Sequence, residues 1–147
     1  MEIIQNFKPL TEFEFEEGVR KVLFVETVQV ADGVECDVYC VEGDNSKDLG
    51  VIKIKGKKTP LQEVLKGERT VEGFIKGNGK LTVTDTEGND KVYPVDDKSS
   101  QGFKIDVGIG EIMQWEAVEG SDLIAFEICV PPPMKMEGIR IYNLIKF

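Results

Sequence analysis

Histidine is absent from this chain of 147 residues. Imidazole is the side chain whose ordinary pKa lies between about pH 5 and 8, and it is the commonest protein ligand for catalytic zinc, iron and copper. Its absence removes Ser-His and Cys-His nucleophile pairs, HExxH zinc sites, two-His-one-carboxylate iron sites and histidine-based epimerase mechanisms. Carboxylate, lysine, cysteine and tyrosine chemistry survives, and oxygen-only ligation of magnesium, calcium or manganese would need clustered carboxylates. Cysteine is scarce as well: three is an odd number and too few for a disulfide scaffold, in agreement with a reducing compartment. Basic residues are outnumbered, 18 Lys and Arg against 27 Asp and Glu, and the net charge of -9 repels a polyanion, so no nucleic-acid partner is expected. No stretch approaches the ~18 apolar residues of a membrane span. The N-terminal MEIIQNFKPLTEFEFEEG has neither a basic leader region nor an uninterrupted apolar run, so no membrane partner and a cytoplasmic location are the expectation.

What is present is β-strand patterning. Phe13 and Phe15 alternate with Glu12, Glu14 and Glu16, and a period of two continues through VLFVETVQV, GVECDVYCV, GVIKIK, KLTVTD, FKIDV and DLIAFEICV. Turn chemistry separates these runs at Asp32-Gly33, Gly43-Asp44-Asn45, Gly77-Asn78-Gly79, Glu87 to Asp90 and Glu119 to Asp122, and Pro131-Pro132-Pro133 ends the last by removing backbone donors. About ten short strands at this spacing predict an all-β sandwich or barrel. The best helix candidate is TPLQEVLKGERTVEG, which Gly67 limits to a short turn. With no repeat and no linker, residues 1–147 read as a single domain, large enough to bury roughly 70% of its unfolded surface.

Two segments carry a resemblance to a known family. TPLQEVLKGERTVEGFIKGNGKL, Thr59 to Leu81, resembles the first motif of the cupins, in which two histidines and a glutamate precede a strand ending in a glycine-containing hairpin. VGIGEIMQWEAVEGSDLIAFEICVPPP, Val107 to Pro133, resembles the second, where a glycine turn leads to a histidine-bearing strand, an acidic turn and a final strand ending in prolines. The resemblance implies a double-stranded β-helix, or jelly-roll, cupin-like barrel. Aligned on Gly77, it places the motif glutamate at Thr70 and the two histidines near Val64 and Lys66, or at Glu63 and Leu65 with a spacer one residue longer. Aligned on Gly110, it places the second histidine at Met113 and the asparagine at Ala117, with Gly108 where a proline is usual. Every implied ligand position is therefore altered, so no metal and no cofactor is expected.

The strand TVEGFIK puts Thr70, Glu72, Phe74 and Lys76 on one face and Val71, Gly73 and Ile75 on the other. Two readings stand open. Cupin geometry points the Thr70 face inward, where Glu72 would be a desolvated carboxyl with a raised pKa. Alternatively Val71 and Ile75 fill the core and Glu72 meets solvent. Met113 and Trp115 share a face on the strand that would bear the second histidine, either at a cavity mouth or as core packing. Gln62 and Lys66 precede the first strand, and with Thr70, Glu72, Met113 and Trp115 they form the expected ligand-binding set. Cys36 and Cys40 are about 13 Å apart on one strand at ~3.3 Å per residue and read as two small hydrophobes. Cys129 reads as a packing residue. Lys53, Lys55, Lys57 and Lys58 read as the solvated face of a strand that discourages edge pairing.

The functional expectation is a metal-independent barrel binding a small molecule. Whether it is catalytic stays open. The alternatives are a metal-free isomerase or lyase, using Glu72 with Gln62, Lys66 or a tyrosine among Tyr39, Tyr93 and Tyr142, and a structural assembly subunit. A homodimer is expected from the family and from the pairing capacity of N-terminal strands such as TEFEFEE. The histidine argument makes a direct prediction: purified protein carries no stoichiometric zinc, iron, copper or nickel. Elemental analysis after dialysis checks it, and one such ion per chain would reveal an overlooked cysteine or carboxylate site.

Overall fold

The structure is a computed structural model that describes residues 2–64, 69–130, 135–136, 139–140 and 144–145. After one short helix, α1 (Glu2–Gln5), the described elements are strands: β1 (Glu12–Phe15), β2 (Gly18–Ala31), β3 (Val34–Val41), β4 (Asp44–Lys55), β5 (Leu61–Glu63), β6 (Arg69–Thr84), β7 (Asp90–Asp96), β8 (Lys104–Val107), β9 (Ile112–Ala117), β10 (Asp122–Val130), β11 (Lys135–Met136), β12 (Ile139–Arg140) and β13 (Leu144–Ile145). Every pairing is antiparallel. No described helix is long and apolar enough to cross a membrane.

The strands form two layers that share β6. Its first half pairs with β10 and β8, and β4, β3, β2 and β1 extend that layer beyond β10. Its second half pairs with β7 and β9, and β5 and β13 extend that layer beyond β9. This is the expected jelly-roll arrangement, and its sheet does not close on itself among the described residues.

Turns fall at Gly33, Gly43, Gly88 and Gly120, all at positive φ, where glycine has no steric cost. Gly77-Asn78-Gly79 is different. Expected as a hairpin, it lies inside β6, which runs through it and changes layers there. Gly77 has φ 109°, and a Cβ on it would sit 2.2 Å from the Asp122 carbonyl oxygen; one on Gly79 would sit 2.2 Å from that of Glu116. Glycine here permits a sharp bend at a barrel corner with neighbouring backbones in close approach. The local chemistry of a bend and a hairpin is the same, so the dipeptide pattern could not separate them.

Two further expectations change. The helix candidate falls on β5 for Leu61–Glu63, while its continuation through 65–68 lies outside the described residues. The lysine run does not guard an edge, because β4 is flanked by β3 and β10; Lys53 instead pairs with Asp37 at 2.8 Å. β10 ends at Val130, and the three prolines lie outside the described residues.

The first layer is buried on both faces. Its inner face meets the second layer in a core containing Val34, Cys36, Val38, Phe74, Leu81, Trp115 and Leu123. Its outer face carries Tyr39, Leu49, Val51, Val71, Ile124 and Phe126, covered by Ile3, Ile4, Phe7, Leu10 and Phe13 of the N-terminal segment. Tyr39 accepts a hydrogen bond from the Leu10 amide at 3.1 Å, which ties that cover down. Because both faces are apolar, β10 is a nearly continuous buried run rather than an alternating one.

Gly77→Ala is predicted to lower stability by roughly 1–3 kcal/mol through backbone strain, with more from the carbonyl contact. Gly88→Ala has the same sign of φ but nothing within 4 Å, so it isolates the contact. Urea midpoints at constant slope provide the comparison, and equal losses at the two positions would contradict the corner assignment.

Candidate functional site

Register brings the site together. On the inner face of the first layer, Glu72 of β6 and Glu127 of β10 are direct cross-strand partners. They are 1% and 4% exposed, so two carboxyls lie side by side out of water. Like charges directly opposite in a sheet are destabilising, and an isolated buried carboxylate more so. Donors from the second layer offset part of this. Trp115 of β9 donates its indole N–H to Glu72 Oε1 at 2.7 Å, and Gln62 of β5 donates its side-chain N–H to Glu127 Oε1 at 2.8 Å. Each carboxyl is thus tied across the layers by a neutral donor.

The donors are themselves fixed. Gln62 pairs in register with Met113, placing β5 beside β9. Thr59 brackets Trp115: its hydroxyl accepts from the Trp115 amide at 3.0 Å and its own amide donates to the Trp115 carbonyl at 2.9 Å. Gln114 adds a bond from its side chain to the Thr59 carbonyl at 2.7 Å. These bonds fix the Trp115 main chain, and the indole itself is held by its bond to Glu72.

A cavity of about 30 Å³ remains between the layers, room for a water-sized group or two. Buried Glu72, Glu127, Met113, Trp115 and Cys36 line it, together with Val34 and Ile52, while half-buried Val30, Thr59, Pro60, Gln62 and Gln114 lead out to the surface. No Lys or Arg is among these described lining residues. Glu72 Oε2 is buried, and no described group donates to it.

Burial pushes the Glu72 carboxyl well above the ordinary carboxylate range; the neighbouring Glu127 charge pushes the same way, against the Trp115 donation that lowers it. Cys129, on the same inner face of β10, is raised by burial first and then by Glu127, Glu72 and Cys36, which keeps it a neutral thiol. No group of three or more metal-binding side chains occurs among the described residues.

Of the expected set, Gln62, Glu72, Met113 and Trp115 converge on this cavity. Between the two readings of TVEGFIK, the inward one describes Glu72, yet Val71 is buried too, in the outer core. Trp115 and Met113 are deep in the wall, 2% and 3% exposed, rather than at the mouth. Thr70 is buried with its hydroxyl 4.0 Å from the Met113 sulfur, behind the wall rather than lining the cavity. Lys66 lies outside the described residues, as does Tyr142. Tyr39 belongs to the outer core and half-buried Tyr93 stacks on Phe103 away from the cavity, so neither reaches Glu72. Cys40 is exposed, not packed as expected, because its end of β3 extends past the inner core. Glu127 was missed; its only sequence signal is a charge inside the apolar run DLIAFEICV.

No family model and no curated protein matches the chain. Solved structures do resemble it. The capsular polysaccharide assembling protein CapF from Staphylococcus aureus superposes with TM-score 0.61 at 10% identity, covering 84% of this chain and 34% of CapF. This chain therefore spans about a third of that protein's length. Oxalate decarboxylase OxdC from Bacillus subtilis gives 0.55 at 13% identity over 71% of this chain and 27% of OxdC. KdgF from a Halomonas species gives 0.53 at 10% identity over 77% of this chain and 89% of KdgF. All are cupin-fold proteins, and the fold of this chain is the cupin jelly roll.

The raised Glu72 pKa sets a sign for stability. The native state holds this proton to higher pH than the unfolded chain does, so the associated stability is present below the ordinary carboxylate range and is lost as pH rises through the raised value. Stability of the protein relative to its Glu72→Gln variant is predicted to fall as pH rises from the ordinary carboxylate range through the raised Glu72 value. Paired denaturation curves from acid to alkaline pH test it, and a constant difference would contradict the assignment.

Proposed function

We propose that the protein is a metal-independent small-molecule-binding barrel of cupin type, one in which other side chains stand where cupin histidines would be. The observation that carries this reading is Glu72 Oε2: a carboxylate oxygen, buried and without a described donor, on the wall of a cavity whose other end is half-exposed. Whenever Glu72 is ionised this oxygen is a buried acceptor whose unmet bond costs ~1–3 kcal/mol, which a ligand donor could recover. The inner volume admits one small polar group, so the rest of the ligand would lie along Val30, Thr59, Pro60 and Gln114.

A second reading is favoured by the carboxyl pair itself. Two adjacent carboxyls sharing a proton can donate and accept one, which is the minimum for a metal-free isomerase or lyase. Gln62 would hold Glu127 in place, and no tyrosine takes part among those described.

Thermal-shift screening of small neutral, anionic and cationic organic compounds tests the binding reading. A stabilising compound is expected, with affinity weakened about 10- to 100-fold by Glu72→Gln if its donor meets this oxygen. A stabilising compound indifferent to that substitution, or no hit in any charge class, would overturn it. Conversion of the compound, with a pH profile lost in Glu72→Gln, would favour the enzyme instead.

A further inference from the structure

β2 outruns its neighbour on the open side of the first layer. β1 pairs with it only from Gly18 to Lys21, and the Val22 amide still donates to the Thr11 carbonyl on that side at 3.1 Å. Beyond Val22, β2 keeps β3 on one side and, among the described residues, no strand on the other. Such an edge is a template for another strand, and proteins commonly blunt it with lysine, proline or an inward charge. Residues 22–31, VLFVETVQVA, contain no lysine and no proline, and Glu26 is their one charge. Leu23, Phe24 and Val25 are 52%, 54% and 42% exposed, three adjacent large apolar side chains left in water. The outer edge of β1 differs, because Glu12 and Glu14 alternate along it and two copies meeting there would bring like charges together.

The geometry of β2 sets a register for self-pairing. Its alignment with β3 slips by one residue between Phe24 and Glu26, which reverses the alternation: Phe24 lies against Tyr39 on the outer face, whereas Val28 packs in the inner core. Before the slip the Val22 amide points to the open side, so after it Thr27 presents its amide and carbonyl there. Two copies related by a two-fold axis at Thr27 would therefore exchange a pair of backbone bonds at the axis. Counting the extra residue at the slip, Leu23 comes opposite Val30 of the second copy. Both face the inner side, Leu23 as the neighbour of outward Phe24 and Val30 against the inner core. Apolar meets apolar at that step.

We propose that two copies of this chain pair antiparallel through the β2 edge about a two-fold axis at Thr27, so that Leu23 of each packs over Val30 of the other. Val30 stands at the half-exposed mouth of the Glu72 cavity, so each copy supplies a wall to the other's site. A second copy is the occupant this edge suits. One segment serves both sides with its faces in step, which an unrelated strand has no reason to match. The chain carries a net charge of -9, and this nearly uncharged stretch lets two copies approach with little repulsion. The pairing does not depend on what the cavity binds.

Light scattering at micromolar concentration is expected to report a dimer. Val25→Lys puts a charge on the edge without touching either core, and should weaken association at least about tenfold while leaving the circular dichroism unchanged. Thr27→Cys, made together with Cys40→Ser to remove the exposed native thiol, should form a disulfide between copies under mild oxidation, because Cα atoms of a hydrogen-bonded antiparallel pair lie ~5.5 Å apart. Trp115 is the one tryptophan of the chain, and acrylamide should quench its fluorescence more steeply once Val25→Lys has separated the copies. A monomer at that concentration, or a dimer that withstands Val25→Lys and fails to cross-link through Thr27→Cys, would overturn the proposal. Equal quenching in dimer and monomer would overturn the shared wall. The cross-link is read without the lysine variant, so the test stands even if that variant folds poorly.

Discussion

The rest of the site follows from one constraint: two carboxyl groups occupy adjacent positions on neighbouring strands inside an apolar core. Antiparallel register makes Glu72 and Glu127 direct partners, and the opposing layer keeps water from both. Such a pair is unfavourable with both groups ionised. Gln62 and Trp115 reach across from the second layer, and Thr59 fixes Trp115 through the backbone. In this account the polar clamp across the barrel is the reason these particular residues sit on those strands.

The fold delivers this geometry through β6. Its first half lies beside β10 and its second half beside β9, so one strand carries Glu72 while also pairing with the strand that carries Trp115. The glycines at 77 and 79 make the change of layer sterically feasible. The N-terminal cover over Tyr39 and Phe126 then shields the back of the same layer. Both faces of β10 are thereby dry, which is why a carboxyl on it cannot escape into solvent.

Legibility in the sequence tracked how local the determining physics was. Alternation within TVEGFIK put Thr70, Glu72 and Phe74 on one face because a strand's two faces are set by its own residues, but which face turns inward was not local and stayed open between two readings. Glu127 escaped notice because its strand is buried on both sides: without alternation, a single charge in DLIAFEICV gives no face to read. Tyr39 was offered as a site residue because a tyrosine's role depends on which face of β3 is covered by a segment some 29 residues earlier. The glycine pair at 77 and 79 was read as a hairpin because bend and turn need the same backbone freedom. Leu61, Val64 and Leu65 matched a helical spacing over too few residues to outweigh pairing of Leu61–Glu63 with β9 and β13. The cupin resemblance pointed to the correct architecture; of the positions it assigned to the lost ligands, Met113 lines the cavity, whereas Thr70 does not.

The central claim is that the Glu72 carboxyl, buried beside Glu127, keeps its proton well above the ordinary carboxylate range. Carbon-13 NMR of protein labelled at glutamate side-chain carboxyls reads this directly, with Glu72→Gln and Glu127→Gln variants giving the assignments. The account predicts that the Glu72 resonance titrates well above the ordinary carboxylate range and that its titration changes in Glu127→Gln. Ionisation of Glu72 within the ordinary carboxylate range would contradict it.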